Sequence, residues 1–199
     1  NPEASDALRS TLRRNFGKLY ASQGRFEDAL RHLADDVYHS SLQFGPEHVH
    51  TSGGYFEMGA CFFALQKVEP ALAFFDKVVD IWYKTVTRLL YAAETVPPES
   101  PGGAPGSVDE AMRSAGVEML KEVRKRRIEC VGDRNIATGE AEYILGLLYQ
   151  LSEDFNRAEE LIAGALDIYR EQLGGEHRST KDVTNSLQML KEIKLDGSY

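Results

Sequence analysis

Apolar residues recur every three or four positions along most of the chain, the spacing of amphipathic helices. Three segments share one internal arrangement: FGKLYASQGRFEDAL at 16–30, MGACFFALQKVEPAL at 58–72 and LGLLYQLSEDFNRAE at 145–159. In each, an apolar residue precedes a glycine, an aromatic follows three places after the glycine, and an alanine follows twelve places after it. The glycines are Gly17, Gly59 and Gly146; the aromatics are Tyr20, Phe62 and Tyr149; the alanines are Ala29, Ala71 and Ala158. Gly17 and Gly59 are 42 residues apart, and Gly59 and Gly146 are 87 apart, two periods plus three.

Each glycine falls inside an apolar helical pattern, where glycine costs about 1 kcal/mol relative to alanine. Three such glycines in one phase predict a compensating contact, namely the close approach of a second helix that presents the small alanine. Between glycine and alanine lie the polar turns SQGRFED, QKVEP and SEDFN. The prediction is helix A, tight turn, helix B, repeated as αα-hairpins. Gly45, Gly132 and Gly174 stand in FGPEH, VGDRN and LGGEH, one structural position at the end of each helix B. A glycine there is the expected left-handed cap, and a following Ser or Thr is expected to cap the next helix. His48 and His177 read as connector residues. A metal reading of His48 and His50, with His39 nearby, lacks supporting cysteines or carboxylates, and no Gly-Lys-Ser/Thr follows to make a phosphate loop.

The Gly–aromatic–Ala spacing resembles the tetratricopeptide repeat, whose usual unit has about 34 residues; the longer period resembles the variant of kinesin light chains. The resemblance implies an all-α superhelix of hairpins, a single domain over 1–199. Repeat one is expected at about 5–45, repeat two at about 51–95, a degenerate repeat at about 96–132, a further repeat at about 137–174 and a terminal capping helix at about 179–194. The third period places its glycine near 104, where the chain reads VPPESPGGAPGS, residues 96–107. That stretch predicts a mobile loop. A helix B from repeat two is expected to run to about Thr95, and another helix to span about Asp109–Cys130. In the last helix Gln188 stands where glycine would.

Composition narrows the function. The chain is 42% hydrophobic and 27% charged, with net charge -8, which disfavours nucleic acid, since phosphate neutralisation needs a basic surface. No apolar run reaches the length of a membrane span. Cys61 and Cys130 are too few for a disulfide framework or a four-ligand zinc site, and fit a reducing compartment. Cys61, in GACFFAL, reads as core. Acidic pairs such as Asp35–Asp36 and Glu159–Glu160 read as solvated helix faces. No catalytic constellation, cofactor or metal site emerges.

The resemblance implies a concave surface lined by helix A. Counted from each glycine, its positions are Arg14, Lys18 and Ala21, then Phe56, Ala60 and Phe63, then Tyr143, Leu147 and Gln150. This is a candidate groove with a basic end and an aromatic middle, suited to a protein or peptide with acidic and apolar side chains; the aromatics also fit a partly core role. Glu57, Glu140 and Ile144 stand where chaperone-binding repeats carry carboxylate-clamp residues, so a chaperone-tail clamp is not expected. The run KEVRKRR offers Lys121, Arg124, Lys125, Arg126 and Arg127 either as a solvated face or as a contact for an acidic partner such as a tubulin tail.

Residues 14–83, with RHLADDVYHSS, FG, TSGGYF and DIW, resemble the tetratricopeptide region of the zinc finger MYND domain-containing protein 12 family. Residues 84–199 follow that layout loosely. The resemblance implies a cytoplasmic, axonemal component of cilia or flagella, a non-catalytic scaffold with inner dynein arms and another tetratricopeptide protein. The family's zinc finger is not found here, which suggests a fragment of a longer protein or a homologue without the finger. The alternative is a kinesin-light-chain-like cargo or peptide adaptor.

Overall fold

The computed structural model describes residues 2–95 and 108–197, and the loop expected at 96–107 lies outside them. Eight α-helices occupy the described residues: α1 (Pro2–Ser22), α2 (Phe26–Phe44), α3 (Val49–Ala64), α4 (Val68–Thr95), α5 (Glu110–Val131), α6 (Ile136–Leu151), α7 (Phe155–Leu173) and α8 (Arg178–Gly197). No strand occurs among them. The chain divides into two compact units, Asn1–Thr85 and Val86–Tyr199, with the division inside α4. In the first, α1 and α2 form a hairpin, α3 packs on α2, and α3 pairs with the start of α4. In the second, α6 and α7 form the hairpin, α5 packs on α6, and α8 packs on α7.

Each hairpin closes where the sequence placed its glycine. A Cβ on Gly17 would lie 2.6 Å from Leu33 Cγ and Cδ2; on Gly59, 2.7 Å from Phe75 Cε1; on Gly146, 2.6 Å from Ile162 Cγ1. The backbone oxygens of Ala29, Ala71 and Ala158 lie 3.4, 3.3 and 3.2 Å from those same points. All three alanines are fully buried. The space a side chain would fill on helix A is occupied by helix B, and the tight contact offsets the intrinsic cost of a helical glycine.

The turn inside each hairpin also repeats. Backbone N–H groups of Arg25, Lys67 and Asp154 donate to the carbonyls of Tyr20, Phe62 and Tyr149 at 2.9, 2.9 and 3.0 Å. Seven residues after each core glycine the backbone turns left-handed, at Gly24 (φ 73°), Gln66 (φ 59°) and Glu153 (φ 61°). Only the first of these is a glycine, so the other two turns hold a conformation that side chains disfavour by about 1–2 kcal/mol.

The three connectors between repeats share a finer design than the sequence suggested. Gly45, Gly132 and Gly174 have φ of 99°, 94° and 83°, and their N–H groups donate to Ser41, Ile128 and Arg170 carbonyls at 3.0, 3.0 and 3.1 Å. The next helix is capped by the residue three places after the glycine, not by Ser or Thr. His48 Nδ1 accepts from His50 N at 3.2 Å, Asn135 Oδ1 from Ala137 N at 2.9 Å, and His177 Nδ1 from Ser179 N at 3.2 Å. The threonines do another job: Thr51, Thr138 and Thr180 Oγ1 donate back to the carbonyls of Gly45, Gly132 and Gly174 at 2.9, 2.8 and 2.8 Å. The left-handed glycine points its carbonyl into the following helix, so the hydroxyl pins the connector. Asp109 caps α5 through Met112 N at 2.7 Å, which moves that helix start one residue on from the expected one.

His48→Ala or His177→Ala should destabilise the protein by about 1 kcal/mol, the usual cost of an N-cap. His48→Asn and His177→Asn should restore stability, because Asn135 fills the same position. Urea denaturation of the four variants checks this.

Candidate functional site

The stretch FGPEHVHTSGGYF, residues 44–56, is the hub of the first unit. Its two adjacent glycines have a charge network against them. Asp36, expected on a solvated face, is completely buried. Ser10 Oγ donates to Asp36 Oδ1 at 2.6 Å, Arg14 Nε to Asp36 Oδ2 at 2.7 Å, and Arg14 Nη2 to the His50 carbonyl at 2.8 Å. A Cβ on Gly53 would sit 2.7 Å from Arg14 Nη1, and one on Gly54 2.7 Å from Asp36 Oδ2. Gly53 and Gly54 therefore make room on α3 for an ion pair shared by α1 and α2. The acid is buried because donated hydrogen bonds replace its water.

Arg14 thus ties three helices together, and its side chain is only 27% exposed. Lys18, one turn on, is 58% exposed and lies 3.5 Å from Glu57. Glu57 faces the candidate groove from α3, and burial holds its carboxyl above the usual range against the opposing pull of Lys18 and Arg14. Phe56 is half-buried with its ring 6.2 Å from that of Phe75, while Ala60 and Phe63 are half-buried on the same helix. Ala21 packs against the cluster of Ala29, Leu33 and Cys61. Cys61 is 2% exposed, and burial followed by the Glu57 charge pushes its thiol up to about 11, so no thiolate forms near neutrality.

In the second unit the corresponding positions are enclosed. Tyr143 is 7% exposed, with its hydroxyl 2.7 Å from Ser186 Oγ on α8, and Leu147 is 2% exposed. Gln150 is half-buried. Every residue from 141 to 148 is buried, because α5, α7 and α8 all meet α6. Lys18, Phe56, Ala60 and Phe63 remain accessible in the first unit, while Tyr143 and Leu147 are taken up by packing.

The basic run on α5 divides in the same way. Arg127 is fully buried, donates to the Ala137 carbonyl and lies 3.7 Å from Glu140. Arg124 Nε donates to Glu142 at 2.7 Å, joining α5 to α6. Lys121 pairs with Glu118 and Arg126 with Glu122, each at 2.7 Å along the same helix, and Lys125 is exposed. The three-residue spacing of Arg124 and Arg127 turns both toward α6, while Lys121 and Lys125 are exposed and Arg126 is half-buried. Among the described residues no group of three metal-ligating side chains occurs, and no described helix is long and apolar enough to cross a membrane.

The fold is an all-α assembly of tetratricopeptide-type hairpins. Residues 144–179 match the family model described as tetratricopeptide repeat. Similar solved structures include the nearly identical TPR-like repeats of a Podosopora anserina protein described as a kinesin light chain, with 18% identity over 92% of this chain and 87% of that one, and a TM-score of 0.37. MamA 41-end from Desulfovibrio magneticus RS-1 is 18% identical over 94% of this chain and 97% of that one, with a TM-score of 0.32. Both scores are too low to carry the fold, which rests on the hairpin geometry above.

Substitutions at the buried carboxylate and a pH series test this chemistry. Arg14→Ala should cost about 3–5 kcal/mol, since it strands a buried carboxylate, and Ser10→Ala about 1.5–3 kcal/mol; chemical denaturation measures both. Glu57 binds its proton more readily folded than unfolded. Its contribution to stability is therefore full below its unfolded pKa and lost as pH rises through its folded pKa. Glu57→Gln should flatten the stability–pH curve relative to wild type in that acidic window, and leave it parallel at higher pH.

Proposed function

We propose that the protein is a non-catalytic scaffold that binds other proteins through the helix A surface of its first unit. Tetratricopeptide repeats generally mediate protein–protein interactions, and the coarse reading follows from that. One observation carries the finer placement: on adjacent helices α1 and α3, Lys18 and Ala60 each follow a core glycine, Phe56 and Phe63 flank Ala60 on the same face, and Lys18 is exposed while the other three are half-buried. An apolar strip beside a cation and a half-buried acid suits an extended or helical segment with apolar anchors and mixed charge. The exposed Lys121 and Lys125 on α5, with half-buried Arg126 beside them, supply a second, electrostatic contact for acidic partners.

The resemblance of residues 14–83 to the zinc finger MYND domain-containing protein 12 family supports a place on the axoneme, with dynein-arm subunits, tubulin or a second tetratricopeptide protein as partners. The 42-residue period supports the other reading, a kinesin-light-chain-like adaptor for cargo peptides.

The test is localisation of the tagged full-length protein in flagellated cells before and after detergent extraction. Retention on the extracted axoneme is expected, with the retained fraction lowered by Phe56→Ala combined with Phe63→Ala. A diffuse or vesicular signal lost on extraction rejects the axonemal scaffold.

A further inference from the structure

Two carboxylates belong to the charge cluster of the first unit, and they are held very differently. Asp36 is fully buried and accepts from Ser10 Oγ at 2.6 Å, Arg14 Nε at 2.7 Å and Arg14 Nη2 at 3.2 Å. Glu57 has one close partner, Lys18 Nζ, at 3.5 Å. Charge-assisted hydrogen bonds are usually about 2.7–2.9 Å long, and a carboxylate offers about four acceptor positions. Asp36 is therefore close to saturated, and Glu57 is not. The Glu57 side chain keeps 20% of its exposure and that of Lys18 keeps 58%, so both are reached from the groove.

The repeat shows that packing does not ask for an acid at this position. Glu57 stands two places before Gly59. The same place on α6 holds Ile144, which is buried. On α8, counted from Gln188, it holds Ser186, buried and bonded to Tyr143. On α1 it holds Asn15, which is exposed. Glu57 alone combines charge with burial there. Burial raises its carboxyl above the usual range even though Lys18 and Arg14 pull it down, with the Asp36 charge adding to the rise. The cations at hand do not make up for the water it has lost. Arg14 is committed to Asp36 and to the His50 carbonyl, and Cys61, one turn further along α3, stays a neutral thiol.

We propose that Glu57 determines the specificity of the groove by accepting an arginine side chain from the bound segment, while apolar neighbours of that arginine rest on Phe56 and Phe63. The proposal rests on the groove assigned above as the protein-binding surface and names what that groove selects. Charge complementarity carries it. A guanidinium brings two coplanar N–H groups to a carboxylate, and its flat face suits aromatic rings. Lys18 gives way readily, because an exposed ammonium gains little from a surface ion pair. An acidic segment is the poorer match. Drawn to Lys18, it would set a second carboxylate beside Glu57, and like charges so close repel.

The probe is a display library of short random peptides, selected on the 199-residue chain and on its variants. The wild type should enrich peptides with arginine at a fixed spacing from apolar residues. Glu57→Gln should lose the arginine preference and keep the apolar one. The best peptide, made synthetically, should bind Glu57→Gln at least about tenfold more weakly and Lys18→Gln about two- to fivefold more tightly. Glu57→Gln keeps the side-chain shape and Lys18 is exposed, so both variants should melt cooperatively, which separates lost binding from lost fold. An ion pair that merely holds α1 to α3 gives no gain on Lys18→Gln. Enriched peptides that lack arginine, or an arginine peptide indifferent to Glu57→Gln, overturn the proposal and leave the groove standing. Acidic peptides that are lost with Lys18→Gln overturn it in favour of Lys18 as the recognition group. No enrichment, or enrichment unaffected by Phe56→Ala combined with Phe63→Ala, rejects the groove itself and this proposal with it.

Discussion

The contact between a helical glycine and the helix that returns over it sets the rest of this molecule. At Gly17, Gly59 and Gly146 the second helix comes so near that a methyl group would overlap a side chain at 2.6 or 2.7 Å. That approach fixes the phase of helix B, and with it which residues turn inward. Ala29, Ala71 and Ala158 are buried because of it. The turn must then be short, and the backbone reverses through a left-handed residue even where the sequence offers Gln66 or Glu153 instead of glycine. Tertiary packing overrides local preference at those two positions.

A second layer joins one hairpin to the next, and it is polar. The connector glycine, the threonine that grips its carbonyl and the imidazole or amide that caps the next helix recur three times with hydrogen bonds of similar length. Between α1, α2 and α3 the pair of Arg14 and Asp36 adds a charged tie, and Arg124 with Glu142 does so between α5 and α6. Such pairs are costly to bury and more costly to break, so they hold one register against alternatives.

The period, the hairpins and the glycine–alanine contact were legible because small residues at a fixed offset point to two helices in close approach and to little else. The long run of α4 and the helix after the proline–glycine stretch were legible because no breaker interrupts them. Asp36 and Arg127 were not legible: a charge on a helix reads as solvated until its donors or acceptors, which lie 22 and 10 residues away, are placed. Tyr143 and Leu147 share the register of Phe56 and Ala60, and only the packing of α8 separates enclosed from accessible. The capping histidines were read as connectors, but Nδ1 as an acceptor leaves no mark in the sequence. Glu57 stands apart only when the register of the repeat is compared with burial.

The most direct test of the glycine contact is a double-mutant cycle at Gly17 and Leu33. Leu33 supplies the atoms that a Cβ on Gly17 would strike. Gly17→Ala should destabilise the wild type by about 1–3 kcal/mol through overpacking, and the cost should fall by about 1 kcal/mol or more in a Leu33→Ala background. If Gly17→Ala instead stabilises the protein by about 1 kcal/mol, as at an open helix site, and does so equally in both backgrounds, the close approach of the two helices is not what the glycine is for.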